Sequence, residues 1–424
     1  LIVNKKTNLE VNMDLKKKRW FILGASLLIN LCIGSGYAWS VYAGPLIKTF
    51  GWSAAATALT FTISNAISPV CMITGGKIQD KFGPKWVIFA GGILFGGGII
   101  VSGFTKSLTW LYISYGIFTG LGMGLVYSCT IANTVKFFPD KRGLVAGLAT
   151  AGYGFGPVLL APISQSLIAA YGVLYTFKVL GIAYLVVILA GSQFIMKAPA
   201  GYKPEGWEPP ALTATSAVTG KDKTWNQMLA DPLFYLLLIM LTIGATSGLM
   251  IISQASPIAQ EVVGVSAQRA AFAVSLVAIA NMAGRITWGA VSDKIGRYNA
   301  LPIMYLVLAA AMFSLTIVSA GSFALFLVTA MLVGFCFGGF MGVFPALTAD
   351  CFGAKNNGVN YGIMFSGFAL GGYIGPVMAA TIKAGNGGDY TNAFLIAAAM
   401  SICGIAVTFI VRKMSKKAME NSAL

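Results

Sequence analysis

The chain has 424 residues, 57% apolar and 10% charged, with no histidine and a formal net charge of +16; its mean hydropathy is +0.78. Soluble proteins are about one-quarter charged, so this chain lacks the charges to keep an ordinary surface wet, which excludes a cytosolic enzyme and an extended nucleic-acid binder. The missing histidine excludes a His-based triad, general base or metal site, and the six cysteines (Cys32, Cys71, Cys129, Cys336, Cys351 and Cys403) stand singly, as small buried residues do, with no CxxC pair.

Residues 1–19 form a polar tail; position 1 is not Met, so Met13 is an alternative start, or residues 1–12 are a cloning feature. Stretches without Asp, Glu, Lys or Arg then follow at 20–47, 49–76, 86–105, 107–135, 143–177 and 179–196. After a polar interval they resume at 232–260, at 262–292 with Arg269 and Arg285 as interruptions, and at 298–349, 356–382 and 390–411. A helix needs about 20 apolar residues to cross the hydrocarbon core. The run 298–349 therefore holds two crossings, split near 319–322, and a break near 170–172 starts the sixth crossing before Lys178. The expected fold is an all-α membrane protein of twelve transmembrane helices. The first run is too long for a signal-peptide core and is read as span one. The interval 197–230, with Pro199, Pro204, Pro209 and Pro210, reads as a flexible cytoplasmic connector. The expected domains are the tail 1–19, bundles 20–196 and 231–412 on either side of the connector, and a tail 413–424.

With both termini inside, cytoplasmic segments hold 23 of the 29 Lys and Arg, against five outside: Lys48, Lys106, Lys178, Arg269 and Lys383. This is the positive-inside bias. The excess charge thus expresses topology, and no nucleic-acid partner is expected.

The two halves repeat each other. Gly76-Lys-Ile-Gln-Asp80-Lys-Phe-Gly83 recurs as Gly289-Ala-Val-Ser-Asp293-Lys-Ile-Gly296, Gly36 and Pro45 match Gly248 and Pro257, and Gly156-Pro157 is echoed by Gly375-Pro376. Two six-helix halves in parallel repeat are an architecture of secondary transporters, with substrate near the midplane between the halves. Gly-x-x-x-Asp-Lys-x-Gly after spans two and eight resembles the loop signature of the major facilitator superfamily, a resemblance that covers about residues 20–412. It implies a conformational latch at Asp80, Asp293, Gly76 and Gly289, where a carboxylate at a helix end meets a helix N-terminus or an arginine.

Arg285 is the one charge deep in a span, eight residues before Asp293 and so about 12 Å from that end of the helix. An arginine at a helix centre costs ~2.5–3.5 kcal/mol on insertion scales and usually marks an ion or substrate path; snorkelling toward the cytoplasm is the plainer alternative. Asp231, Glu261 and Asp350 lie at span ends, so a small anionic substrate is the expected counter-charge, and a carboxylate suits the guanidinium fork. Asn281, one turn earlier on the same face, holds Arg285, binds the ligand, or bonds a neighbouring helix. Tyr37, Tyr127 and Tyr153, in spans one, four and five, are either hydroxyl donors to the anion or packing aromatics. Gly116-x3-Gly120-x3-Gly124 reads as close helix packing.

Arg19-Trp20, Tyr37-Ala-Trp39, Phe138-Pro-Asp-Lys-Arg-Gly143, Ala151-Gly-Tyr153-Gly and Asn281-x3-Arg285 are similar to motifs of the oxalate/formate antiporter and monocarboxylate transporter group. The resemblance implies Arg285 as the carboxylate-binding arginine and the three tyrosines in the cavity wall. Two departures matter. Phe368 stands where the oxalate carrier has a second binding lysine, which argues against a dianion and, with Phe337 and Phe365, for a methyl-bearing anion such as lactate or pyruvate. Asn281 stands where animal monocarboxylate transporters carry Asp, so no proton site is evident. Gly143-x8-Gly152-x3-Gly156-Pro157 is similar to the span-five antiporter motif, with Leu160 in place of a glycine.

The expectation is therefore a secondary active transporter of small monocarboxylates working by alternating access, coupled to H⁺ symport or anion exchange. It is not an enzyme, uses no cofactor or metal, and functions as a monomer among lipids of a bacterial inner membrane, with both termini cytoplasmic. The alternatives are an oxalate/formate antiporter and an anion-sensing membrane receptor signalling through 197–230.

Overall fold

Inside a bilayer no water is at hand for backbone amides, so an apolar run closes its hydrogen bonds within itself as a helix. In the computed structural model, which describes residues 2–199, 201–204 and 222–423, every regular element is helical. The first half comprises α1 (Ile2–Gly34), α2 (Trp39–Phe50), α3 (Ala54–Phe82), α4 (Pro84–Ser102), α5 (Leu108–Leu111), α6 (Gly120–Phe137), α7 (Arg142–Tyr171) and α8 (Val173–Phe194). A short α9 (Trp225–Leu229) precedes α10 (Pro232–Pro257), α11 (Ala267–Ile295), α12 (Arg297–Leu315), α13 (Phe323–Phe352), α14 (Asn357–Met364), α15 (Ser366–Gly385) and α16 (Thr391–Ala423).

Among the described residues, eleven helical runs are long and apolar enough to cross a membrane. The twelfth, α3, is 29 residues long but diluted by Thr60, Thr62, Ser64, Asn65 and Ser68. Phe21 and Trp86 are 71% and 67% exposed, as expected of helix faces turned to lipid.

Glycine sets the turns. Gly83 and Gly296, the last residues of the repeated motif, have φ of 95° and 88°, a region that a side chain disfavours, so the chain doubles back from α3 to α4 and from α11 to α12 in the same way. Among the described residues, four interruptions lie within or beside spans. A 3₁₀ turn at Ser35–Ala38 joins α1 to α2, π-helical segments at Tyr112–Thr119 and Ile258–Val262 follow α5 and α10, and a break at Phe365 separates α14 from α15.

The chain forms two compact units: Leu1–Ala211 with Ala354–Ile363, and Leu212–Gly353 with Met364–Leu424. In the first, α7 lies so close to α1 that a Cβ on Gly156 would sit 2.7 Å from the Gly34 carbonyl carbon, and one on Gly152 would strike the Leu27 carbonyl oxygen. In the second, Gly371 and Gly375 of α15 meet the α10 backbone at Ala245 and Thr246 in the same manner. The repeat read from the sequence is thus a repeat of backbone approach.

The described ends of the connector are anchored; residues 200 and 205–221, which include Pro209 and Pro210, lie outside the described residues. Asn133 donates to the Met196 carbonyl at 3.0 Å and accepts from Ala198 N at 3.4 Å. Lys223 N donates to the Phe352 carbonyl at 2.8 Å, and Thr224 and Gln227 form a capping box on α9.

Candidate functional site

The Arg285 neighbourhood is built by one helix pair of the second unit. Val277, Asn281 and Arg285 are successive turns along one face of α11, and α13 meets them with Gly334, Gly338 and Gly342. A Cβ on Gly334 would lie 2.8 Å from the Val277 carbonyl oxygen; one on Gly338 would strike the Asn281 carbonyl oxygen and lie 2.8 Å from its carbon; one on Gly342 would strike the Arg285 carbonyl oxygen. Small residues at this spacing let backbones touch. The pair fixes the height and rotation of α11, so Arg285, 2% exposed, is set by its backbone as well as its side chain. Arg285 Nε donates to Asn281 Oδ1 at 3.1 Å, and Asn281 Nδ2 is buried with no acceptor among the described residues.

Three aromatic residues named from the sequence form one stack in this unit. The Phe365 and Phe368 rings lie 4.6 Å apart with planes 18° from parallel, and Phe368 stacks on Phe337 at 6.2 Å. Phe337 covers Gly248, where a Cβ would meet its ring. Phe365 and Phe368 are three residues apart, on neighbouring positions of one helical face, at the break between α14 and α15 that the uninterrupted run 356–382 did not foretell.

The first unit brings together the three tyrosines named from the sequence, which come from three spans. Tyr153 of α7 packs edge-on against Tyr37, at 4.8 Å between ring centroids, and against Tyr127 of α6 at 5.0 Å. Its hydroxyl donates to Met123 Sδ at 3.1 Å. Tyr37 lies in the 3₁₀ turn, and just before that turn Gly34 lies against the Tyr153 backbone. Tyr37 and Tyr153 are therefore brought together by the α1–α7 glycine contact, and α6 adds Tyr127. Tyr127 and Tyr153 are buried and Tyr37 is half-buried.

The four residues read from the sequence as a latch take different partners in the two units. In the first, Asp80 pairs with Lys136 at 2.8 Å and accepts from Val359 N at 3.1 Å, so its carboxylate meets the first turn of α14. Gly76 admits the Gly358 backbone alongside. In the second, Asp293 pairs with Arg297 at 2.7 Å, Arg297 also reaches Asp350 at 3.3 Å, and the Gly289 carbonyl accepts from Ser292 Oγ at 2.8 Å. The Arg297–Asp350 contact was missed because 53 residues separate its members.

Also missed was a buried polar ladder in the first unit, where Thr130 donates to Asn30 Oδ1 at 3.1 Å, Asn30 donates to the Ala149 carbonyl at 3.1 Å, and the Ser26 and Thr134 hydroxyls lie 2.9 Å apart. Single polar residues in apolar runs were its only trace. The stripe of α13 had a clearer one, since Gly334-x3-Gly338-x3-Gly342 repeats the spacing already read at Gly116, Gly120 and Gly124.

The Major Facilitator Superfamily family model matches residues 25–328 and 288–423. The chain is 31% identical to the oxalate:formate antiporter of Oxalobacter formigenes over 94% of its own length and 93% of that protein's. It is 31% identical to the uncharacterized MFS-type transporter YhjX of Escherichia coli K12, covering 84% and 86%, and 27% identical to monocarboxylate transporter 12 of Xenopus laevis, covering 91% and 87%. Among solved structures, the transporter FucP in its outward conformation superposes with a TM-score of 0.70 at 16% identity, over 93% of this chain and 98% of that one. The proton:xylose symporter XylE gives a TM-score of 0.70 at 15% identity, over 93% and 96%.

Proposed function

This chain belongs to the Major Facilitator Superfamily of membrane transporters, and within that family we propose that it is a secondary carrier of small monocarboxylates. The observation that carries the reading is Arg285, 2% exposed in α11 and oriented by Asn281 at 3.1 Å. A guanidinium presents two parallel donors to one carboxylate, and burial makes that interaction far stronger than in water. The Phe337, Phe365 and Phe368 stack suits a methyl-bearing acid of the lactate or pyruvate type, while Tyr37, Tyr127 and Tyr153 are the first unit's candidate wall residues.

The chain's functional halves are the bundles 20–196 and 231–412, joined by 197–230, with tails 1–19 and 413–424. It sits as a monomer in a bacterial inner membrane with both termini cytoplasmic, as the basic segments favour. Asp80 and Asp293, with Gly76 and Gly289, act as latch points that hold one conformation until substrate neutralises Arg285. Coupling is by anion exchange or by H⁺ symport.

The test is uptake of labelled L-lactate into proteoliposomes. Arg285→Ala abolishes uptake while the protein still elutes as a folded species from detergent chromatography; wild-type uptake by that variant overturns the assignment. The antiporter relative supports a second reading, oxalate/formate exchange. Oxalate outcompeting lactate in the same vesicles selects it.

A further inference from the structure

Arg19-Trp20 and Phe138-Pro-Asp-Lys-Arg-Gly143 are two motifs to which the carrier reading assigns no role. They meet in the first unit, where α1 enters the membrane. Arg19 Nη1 donates to Asp140 Oδ1 at 2.9 Å, and its guanidinium lies 4.6 Å over the Phe138 ring. Trp20 packs edge-on against the same ring at 5.0 Å, and Lys141 Nζ stands 5.9 Å from the centre of the Trp20 ring. The α6–α7 turn is thereby fixed against α1, and the one carboxylate of that turn is committed to Arg19.

The outer side of this junction has the profile of an amphiphile. Lys17, Trp20, Phe21, Gly24 and Leu28 share one face of α1 at helical spacing, and all five are exposed. A Cβ on Gly24 would meet nothing within 4 Å, so the face between Phe21 and Leu28 is an open apolar bed. Trp20 has the ring type that settles at the membrane–water interface. Beside it stand two exposed ammonium groups, Lys17 from the helix and Lys141 from the turn.

We propose that this face of α1 and the α6–α7 turn seat one anionic phospholipid. Its phosphate lies at Lys17 and Lys141, its glycerol region against Trp20, and an acyl chain along Phe21, Gly24 and Leu28. Charge decides which lipid fits. A zwitterionic headgroup brings a cation as well as a phosphate, and the turn's carboxylate, which could receive that cation, is held by Arg19. An anionic headgroup makes no such demand, and basic residues near the surface favour it. Lys18, exposed beside Lys17, adds to the same field. The seat lies within the first unit and is independent of the substrate carried. With the termini cytoplasmic, as proposed above, it faces the inner leaflet.

The experiment places the full chain in phosphatidylcholine vesicles that contain a minor fraction of lipid brominated on its acyl chains. The Trp20 emission is taken as the difference between the chain and its Trp20→Phe variant. Brominated phosphatidylglycerol is expected to quench that emission at a mole fraction roughly 25-fold lower than brominated phosphatidylcholine, at about fivefold for each of the two lysines. The double variant Lys17→Gln, Lys141→Gln loses most of this preference. Lys106→Gln, beyond the far end of α4, keeps it. Both sets of substituted side chains are exposed, and detergent chromatography checks that the variants remain folded. Equal quenching by the two lipids overturns the proposal, and so does a preference that survives in the double variant. Relief of the quenching by millimolar sn-glycerol 3-phosphate would mark a site for free phosphate compounds and overturn the lipid as occupant.

Discussion

Gly338→Ala puts one methyl group between α13 and the turn of α11 that carries Arg285. The new Cβ would lie 2.8 Å from the Asn281 carbonyl carbon and 3.1 Å from Arg285 N, with the Asn281 carbonyl oxygen closer still. Ordinary contact begins at 3.4 Å, so α11 must retreat by at least about 0.6 Å, and backbone cannot swing aside as a side-chain tip can. Overpacking of this kind costs about 1–3 kcal/mol. Misplacing a binding group by about 1 Å lowers activity on the order of 100-fold, and a loss of that order is expected in lactate uptake. Gly97→Ala is the control, since a Cβ there meets nothing within 4 Å and alanine is the better helix former. Thermal unfolding in detergent and proteoliposome uptake are measured together. Wild-type melting and uptake in Gly338→Ala would refute the claim that backbone contact sets the arginine.

The other predictions concern the aromatic stack and the latch. Phe368→Lys places a second cation beside Phe337 and Phe365 and shifts competition against labelled lactate toward oxalate; unchanged selectivity removes the charge-count argument against dianions. Asp80→Asn loses the ion pair to Lys136 and the negative charge facing Val359 N, weakening the docking of α14 by about 1–3 kcal/mol. Amide hydrogen exchange over 357–364 quickens accordingly, and unaltered protection there counts against the latch.

The spans were legible because a bilayer imposes one length and one composition, and because turn glycines such as Gly83 and Gly296 recur in both halves. Arg285 was legible because a charge deep in an apolar run is costly and therefore rare. What escaped was whatever depends on two distant segments meeting. The break at Phe365 carries no proline or glycine at that position to announce it, and it emerges only where α14 packs with the first unit and α15 with the second. The convergence of Tyr37, Tyr127 and Tyr153 needed the α1–α7 approach at Gly34 and Gly156, which span order alone does not give. Asn281 illustrates both sides: its spacing from Arg285 announced the contact, while the idle state of its other amide end depended on what α13 does not supply.

A carrier has to let go of what it binds. The seam of glycines along α13 means that the restriction of the arginine's backbone is met once, when the chain folds, and not again at each arrival of a ligand. Under the monocarboxylate reading proposed above, selectivity then does not require tenacity, because a weakly held anion still encounters donors already standing in register. The same seam that looks like mere close packing thus favours brief residence, and brief residence is the condition for rapid turnover across a membrane.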